Sequence, residues 1–157
     1  MSRIVNLREL KKSLPKKSGC RIVLTGGCFD ILHIGHVRFL VEAKLTGDYL
    51  VVFLEDDEKV RKLKGGNRPF FTQEERAEML SALKSVDLIV LLPMMKNDRD
   101  YLNLIKKIKP HRIAVTENDP YMEKKRRQAK EVGAELKIIP LVKTYSTSKL
   151  ARILGVE

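Results

Sequence analysis

Residues 21–36 read RIVLTGGCFDILHIGH, a stretch that passes from strand to loop to helix within 16 residues. It opens as a short, continuous, β-branched apolar run, RIVLT, the pattern of a strand buried on both faces of a parallel sheet. Gly26 and Gly27 then let the backbone turn and approach a ligand closely. From Gly35 onward, GHVRFLVEAKLTG has the spacing of an amphipathic helix. Strand, glycine-containing loop and helix in direct succession open an α/β unit. Such units bind ligands beyond the carboxyl ends of their strands, often at a helix N-terminus.

The same alternation runs through the rest of the chain. YLVVFL (49–54), LIVLL (88–92), RIAVT (112–116) and ELKIIP (135–140) read as further buried strands. Between them lie DDEKVRKLK, TQEERAEMLSALKS, DRDYLNLIKKIK and DPYMEKKRRQAKEVG, each with helical periodicity. Thr72 with Glu75 forms a capping box, and Gly47 and Gly133 stand where helices end. The expected fold is α/β: a doubly wound, mostly parallel five-stranded sheet of Rossmann-like type. Residues 1–19 read as a short helical lead-in with a basic Pro-Lys-Lys linker, and 1–157 as one domain.

With 43% hydrophobic and 32% charged residues, the composition is that of an ordinary globular chain. No apolar stretch approaches the ~20 residues of a membrane span, and no signal-peptide pattern opens the sequence. The expectation is a cytoplasmic protein with no membrane partner. Cys20 and Cys28 form neither a CxxC pair nor a disulfide framework, and Cys28 reads as a small packing residue beside a site. The net charge of +11 asks for an anionic partner: nucleic acid, a membrane surface or phosphate-rich small molecules. Nucleic acid fits poorly, because the basic residues interleave with acidic ones and aromatics are few. The run KKRRQAK (124–130) reads as a solvated helix face.

His33 and His36 flank Gly35 in a chain with only 3 histidines. Zinc-protease helices space their histidines four apart around an acid, and no third ligand stands here, so a zinc site is not expected. At a helix entrance the two imidazoles would offer N–H donors to phosphate oxygens, with the helix dipole adding positive potential. Phosphate binding is the reading that also uses Gly26, Gly27, Gly35 and Asp30.

The string G-x-F-D-x-x-H-x-G-H, filled by Gly27, Phe29, Asp30, His33, Gly35 and His36, resembles the defining motif of the cytidylyltransferase-like nucleotidyltransferases. HIGH also occurs in class I aminoacyl-tRNA synthetases, but 157 residues do not hold their insertion and anticodon-binding region. Within the family, the chain is most similar to the nucleotidyltransferase half of ADP-heptose synthases, which join ATP to a heptose 1-phosphate. EAK-x-x-GD (42–48), V-R-x-LKG-x-x-RP (60–69), E-x-R-x-x-x-L-x-AL-x-x-VD (74–87) and IPLV-x-x-YST (139–147) carry that similarity. Glycerol-3-phosphate cytidylyltransferases and archaeal FAD synthetases share the skeleton more distantly. CTP with a polyol or amino-alcohol phosphate, or ATP with FMN, therefore stands as the alternative substrate pair.

The resemblance implies roles. His33, His36, Lys62, Lys64 and Lys149 would stabilise charge on the phosphoryl oxygens, the lysine pair gripping triphosphate and acceptor phosphate. Gly26, Gly27, Cys28, Phe29, Asp30, Gly35 and Arg76 would form the nucleotide site with Thr116, Asn118, Tyr145, Ser146, Thr147 and Ser148. Read by themselves, Lys62 and Lys64 fit a solvated helix end equally well, although Gly65 and Gly66 favour a mobile loop. Ser146–Ser148 alone would be a plain helix cap. Arg76 would pair with a carboxylate, or sit on a helix surface. Mg2+ would bridge the triphosphate, with no protein metal site, and a homodimer is implied. No kinase half is expected, so a sugar 1-phosphate would come from a separate enzyme. Two departures bear on specificity. AVTENDPYM (114–122) puts Thr116 and Glu117 where heptose enzymes carry glycines, with Asn118 or Asp119 replacing the family aspartate. Leu141 stands where cytidylyltransferases place an arginine.

Overall fold

The computed structural model of the chain describes residues 3–141 and 143–155. Met1 and Ser2 of the lead-in, Val142 of the IPLVKTYST run, and Val156 and Glu157 lie outside the described residues. In chain order the elements are β1 (Arg3–Val5), α1 (Leu10–Ser13), β2 (Ile22–Gly27), α2 (Ile34–Leu45), β3 (Tyr49–Leu54), α3 (Asp57–Lys64) and α4 (Gln73–Ser81). Then follow β4 (Leu88–Leu91), α5 (Asp98–Ile108), β5 (Arg112–Thr116), α6 (Met122–Val132), β6 (Glu135–Ile139) and α7 (Thr147–Ile153).

The strands form one parallel sheet in the order β1-β4-β3-β2-β5-β6. All five expected strands are present, and a sixth corrects the count. Arg3–Val5, expected within a helical lead-in, pairs along β4 with Ile4 opposite Ile89. Three residues are too few to show a period, so this strand exists because β4 offers it an open edge. The helix of the lead-in is only the four residues of α1.

Both faces of the sheet are buried, and strand periodicity sorts the side chains between them. Leu24, Val51, Phe53, Val90, Ile113 and Val115 pack under α1, α5 and α6. Val23, Leu50, Val52, Leu54, Ile89 and Ala114 pack under α2 and α4. This division is why the strands read as continuous apolar runs rather than alternating ones.

Several residues of the resembling motifs act at the amino ends of the strands, away from any ligand site. Lys44 Nζ lies 2.6 Å from both the Asp48 carbonyl and the Asp87 carboxylate, and Asp87 also accepts from Leu50 N–H at 2.7 Å. Gly47 has no left-handed φ, so turning the chain is not its special contribution. A Cβ there would lie 2.5 Å from Val23 Cγ2 and 2.6 Å from the Arg21 carbonyl oxygen, so glycine lets the α2–β3 connection seat against β2.

Candidate active site

The site begins where the sheet reverses its winding. β2 and β5 are neighbours, yet their ladder pairs only Val23 with Arg112 and Leu24 with Ile113. Beyond that point the strand ends part, and the Thr25 hydroxyl donates to the Ala114 carbonyl at 3.0 Å in place of a ladder bond. A crevice at the carboxyl ends of strands flanking such a switch point is where open α/β sheets bind ligands.

Helix α2 presents its N-terminus to this crevice. His33 is its N-cap and accepts from Gly35 N–H through Nδ1 at 3.1 Å, while His36 Nδ1 lies 3.4 Å from His33 N–H. The two histidines thus form a reciprocal cap of the kind usually built by a hydroxyl and a carboxylate. An Nδ1 that accepts carries no proton, so the neutral imidazole of His33 keeps its hydrogen on Nε2 as a donor. The rings stack with centroids 3.8 Å apart, and Phe29 meets His36 edge-on at 5.3 Å. Burial pushes the His36 pKa down to about 4, with the neighbouring His33 adding to the effect, and burial also lowers His33. Near neutral pH both rings are therefore uncharged hydrogen-bond donors. A Cβ at Gly35 would stand 2.9 Å from His33 Cε1 and 3.0 Å from Thr144 Cγ2, so glycine makes room for the stacked ring.

The loop between β2 and α2 is held under strain by buried charges. Phe29 adopts φ 46°, a left-handed conformation unusual for an aromatic residue. Beside it, Asp30 pairs with Arg68 Nε at 2.5 Å, both side chains 1% exposed, and also accepts from Phe70 N–H at 2.8 Å. Arg76 is fully buried. It donates to the carbonyls of Cys28 (2.5 Å), Glu55 (2.8 Å) and Phe71 (3.1 Å), and to Asp57 at 2.7 Å. Asp30 and Arg76 are thus struts that shape the loop.

Two cavities adjoin along Thr25–Cys28 and Ala114. One, of about 250 Å³, lies on the side of α2 and α7 and is lined by His33, Gly35, His36, Thr116, Thr144 and Ser146. The other, of about 390 Å³, lies toward α3, α5 and α6 and is lined by Glu55, Lys59, Lys64, Tyr101, Tyr121 and Lys125. The ion pair between Asp119 and Lys125, 2.6 Å long, borders both. Burial pushes up the thiol pKa of Cys28, which also borders both cavities, in keeping with a packing residue.

The expected site residues divide accordingly. Gly26, Gly27, Cys28, Phe29, His33, Gly35, His36, Thr116, Ser146 and Lys64 line one cavity or both. Asp30, Lys62, Arg76, Asn118, Tyr145, Thr147, Ser148 and Lys149 line neither. Lys62 and Lys64 belong to helix α3 rather than to a loop, which begins only at Gly65. Lys62 points to solvent and pairs with Glu58 at 2.8 Å, one helical turn away. Of the two candidates after β5, Asp119 faces the crevice and Asn118 sits exposed on the turn. Ser146 caps α7 by accepting from Lys149 N–H at 3.3 Å, and Thr147 donates to the Ile31 carbonyl at 3.1 Å, tying α7 to the histidine loop. Lys149 Nζ rests 4.7 Å from the centroid of the Tyr145 ring. Glu55, Lys59, Tyr101 and Lys125 were not expected. Glu55 directly follows β3, so the strand-end rule had a signal for it; Tyr101 arrives from α5 with no local signature.

Among the described residues, no three or more His, Cys, Asp or Glu side chains are grouped to hold a metal ion. No helix among them is long and apolar enough to cross a membrane.

Residues 24–153, from β2 through α7, match the family model described as cytidylyltransferase-like. The chain belongs to that family. It is a nucleotidyltransferase. The enzyme is 41% identical over 149 residues to the bifunctional protein HldE of Aliarcobacter butzleri (strain RM4018), and 44% identical over 149 residues to that of Campylobacter fetus subsp. fetus (strain 82-40). Both matches cover 94% of this chain but 30% of the relative, so the chain spans less than a third of those proteins. A crystal structure of the lipopolysaccharide core biosynthesis protein from Thermoplasma volcanium GSS1 superposes with TM-score 0.64 at 30% identity, over 81% of this nucleotidyltransferase and 100% of that chain. Pantoate-beta-alanine ligase from Francisella tularensis shares the fold at TM-score 0.61 and 17% identity, covering 94% of this chain and 69% of its own.

Proposed function

We propose that this nucleotidyltransferase transfers AMP from ATP to a sugar 1-phosphate of heptose type, releasing pyrophosphate. The observation that carries the reading is the stacked histidine pair capping α2 at the switch-point crevice, with a second, lysine-bearing cavity beside it. The similarity to the HldE proteins and the motifs shared with ADP-heptose synthases support the choice of ATP and a sugar phosphate.

In this reading an acceptor phosphate oxygen attacks the α-phosphorus in line. The bond from phosphorus to the bridging oxygen of the leaving pyrophosphate breaks as the new one forms. The acceptor phosphate is already ionised, so no general base is needed. Positioning and charge stabilisation supply the catalysis. His33 and His36 donate to the phosphoryl oxygens as neutral imidazoles, in the positive field at the start of α2. Lys64 borders the neighbouring cavity of about 390 Å³. Mg2+ would be chelated by the triphosphate, in line with its preference for phosphate and water ligands, and would offset the charge of the leaving group. The enzyme would work as a homodimer in the cytoplasm.

Pyrophosphate release across ATP and CTP, each with sugar 1-phosphates, glycerol 3-phosphate and FMN, tests the proposal. ATP with a sugar 1-phosphate is the expected productive pair; turnover confined to CTP or to FMN overturns it. His36→Ala should lower kcat by roughly 100-fold or more, the loss typical of a transition-state hydrogen-bond donor, with nucleotide binding largely kept.

A further inference from the structure

The lysine-bearing cavity beside the histidine site contains a group that binding a bare phosphate would not require. Glu55 directly follows β3, and its half-buried side chain forms part of the cavity wall. One hydroxyl meets its carboxylate: Tyr101 Oη lies 2.9 Å from Oε1 and 3.0 Å from Oε2. Among the described residues no basic side chain is in ion-pair contact with it; burial raises its pKa above the ordinary carboxylate value, opposed by the Tyr101 hydrogen bond and by the charges of Lys59 and Lys125. The other acids on the wall are already paired, Asp98 with Lys124 at 3.3 Å and Asp119 with Lys125 at 2.6 Å. What remains facing the space is two ammonium groups, Lys59 and Lys64, and one carboxylate, Glu55.

That combination discriminates between ligand chemistries. A site for a bare anion such as pyrophosphate would not place a carboxylate on its wall, since like charges out of water repel strongly. An ionised carboxylate only accepts hydrogen bonds, through about four lone-pair positions, and a single phenol leaves capacity unused. The matching ligand carries negative charge at one end and O–H donors at the other. The mount is also rigid. Glu55 N–H donates to the Gly27 carbonyl at 3.1 Å, and the Glu55 carbonyl accepts from buried Arg76 at 2.8 Å. Tyr101 is kept a phenol, because burial and the adjacent carboxylate raise its pKa far above the usual value.

We propose that the cavity of about 390 Å³ takes the phosphorylated acceptor, with Glu55, oriented by Tyr101, accepting hydrogen bonds from hydroxyls on the acceptor's carbon skeleton while Lys59 and Lys64 hold its phosphate end. This rests on the adenylyl-transfer reading above and adds the residue that selects a polyhydroxylated acceptor. Tyr101 is a positioning residue in this scheme.

The test is pyrophosphate release by the full chain, by Glu55→Gln and by Tyr101→Phe, varying a hexose or heptose 1-phosphate at saturating ATP and then the reverse. A second series uses the same sugar 1-phosphate with single hydroxyls removed. Glu55→Gln should raise the acceptor KM roughly 10- to 100-fold, the loss of a hydrogen bond to a charged group. The KM for ATP should stay within about twofold. The variant should also lose the wild-type preference for the intact sugar over one of its deoxy forms, and Tyr101→Phe should shift the same quantities less. If the wild type turns over sugar phosphates but Glu55→Gln leaves the acceptor KM unchanged, or raises the ATP KM equally, the role of Glu55 is overturned and adenylyl transfer stands. If the wild type turns over no sugar phosphate, both fall. Should Glu55→Gln fail to fold, Tyr101→Phe with the deoxy series decides: equal kcat/KM ratios in that variant and the wild type overturn the inference.

Discussion

The Asp30 carboxylate meets Arg68 at 2.5 Å with each side chain 1% exposed, and this pair fastens the histidine loop to the segment that leads into α4. Asp30→Asn removes the negative charge opposite a buried guanidinium. Breaking such a pair from one side typically costs about 3–5 kcal/mol, more than replacing both partners. Urea unfolding of Asp30→Asn should therefore show a loss of that order, and a midpoint equal to the wild type would mean that the pair does not anchor the loop.

His36 makes stability depend on pH in a definite direction. Its folded pKa is held near 4, below the ordinary 6.5, so between those values the unfolded chain binds a proton that the folded chain does not. Stability is then fully present above pH 6.5 and falls as the pH drops toward 4, with a contribution approaching about 1.4 kcal/mol per pH unit. Thermal melts of the wild type and His36→Gln across this window check it. The variant should have the flatter profile, and parallel profiles would contradict the assignment.

Gly35 and Gly66 make a controlled pair. A methyl at Gly35 would meet the His33 ring at 2.9 Å, while a methyl at Gly66 would meet nothing within 4 Å. Displacing a reacting group by about 1 Å can cost on the order of 100-fold in rate. Gly35→Ala is expected to lose kcat on that scale with its fold retained, and Gly66→Ala to lose little. Steady-state kinetics of the two variants side by side separate a steric role of Gly35 from general sensitivity to alanine.

Gly47 tests the fold without touching the site. Alanine there would put its Cβ 2.5 Å from Val23 Cγ2, and overpacking of this kind costs about 1–3 kcal/mol. Denaturant unfolding should register that loss, while kcat per folded molecule stays at the wild-type value.

Much of this was legible in the residues. β3 and β5 fall on the YLVVFL and RIAVT runs residue for residue, because strands buried on both faces must be apolar throughout. The helix caps Thr72 and Gly133 were equally plain, since capping is settled within a turn of chain. The histidine loop could be read for the same reason: its strand, glycines and helix start are contiguous. Harder to read were residues whose role depends on a distant partner. Asp30 and Arg76 carried the charge of binding groups, but their burial as struts depends on Arg68, Cys28 and Glu55, brought near by the fold.

Local spacing in the sequence was enough for the α/β alternation, the glycine loop after β2 and the histidines at the start of α2. The tertiary structure decided what joins them. β1 became a strand because the edge of β4 was open to it. Asp119 rather than Asn118 turned to the crevice because the turn after β5 fixes their register. Glu55 met Tyr101 across 46 residues of sequence because β3 and α5 converge at the carboxyl edge of one sheet, an encounter that only packing creates.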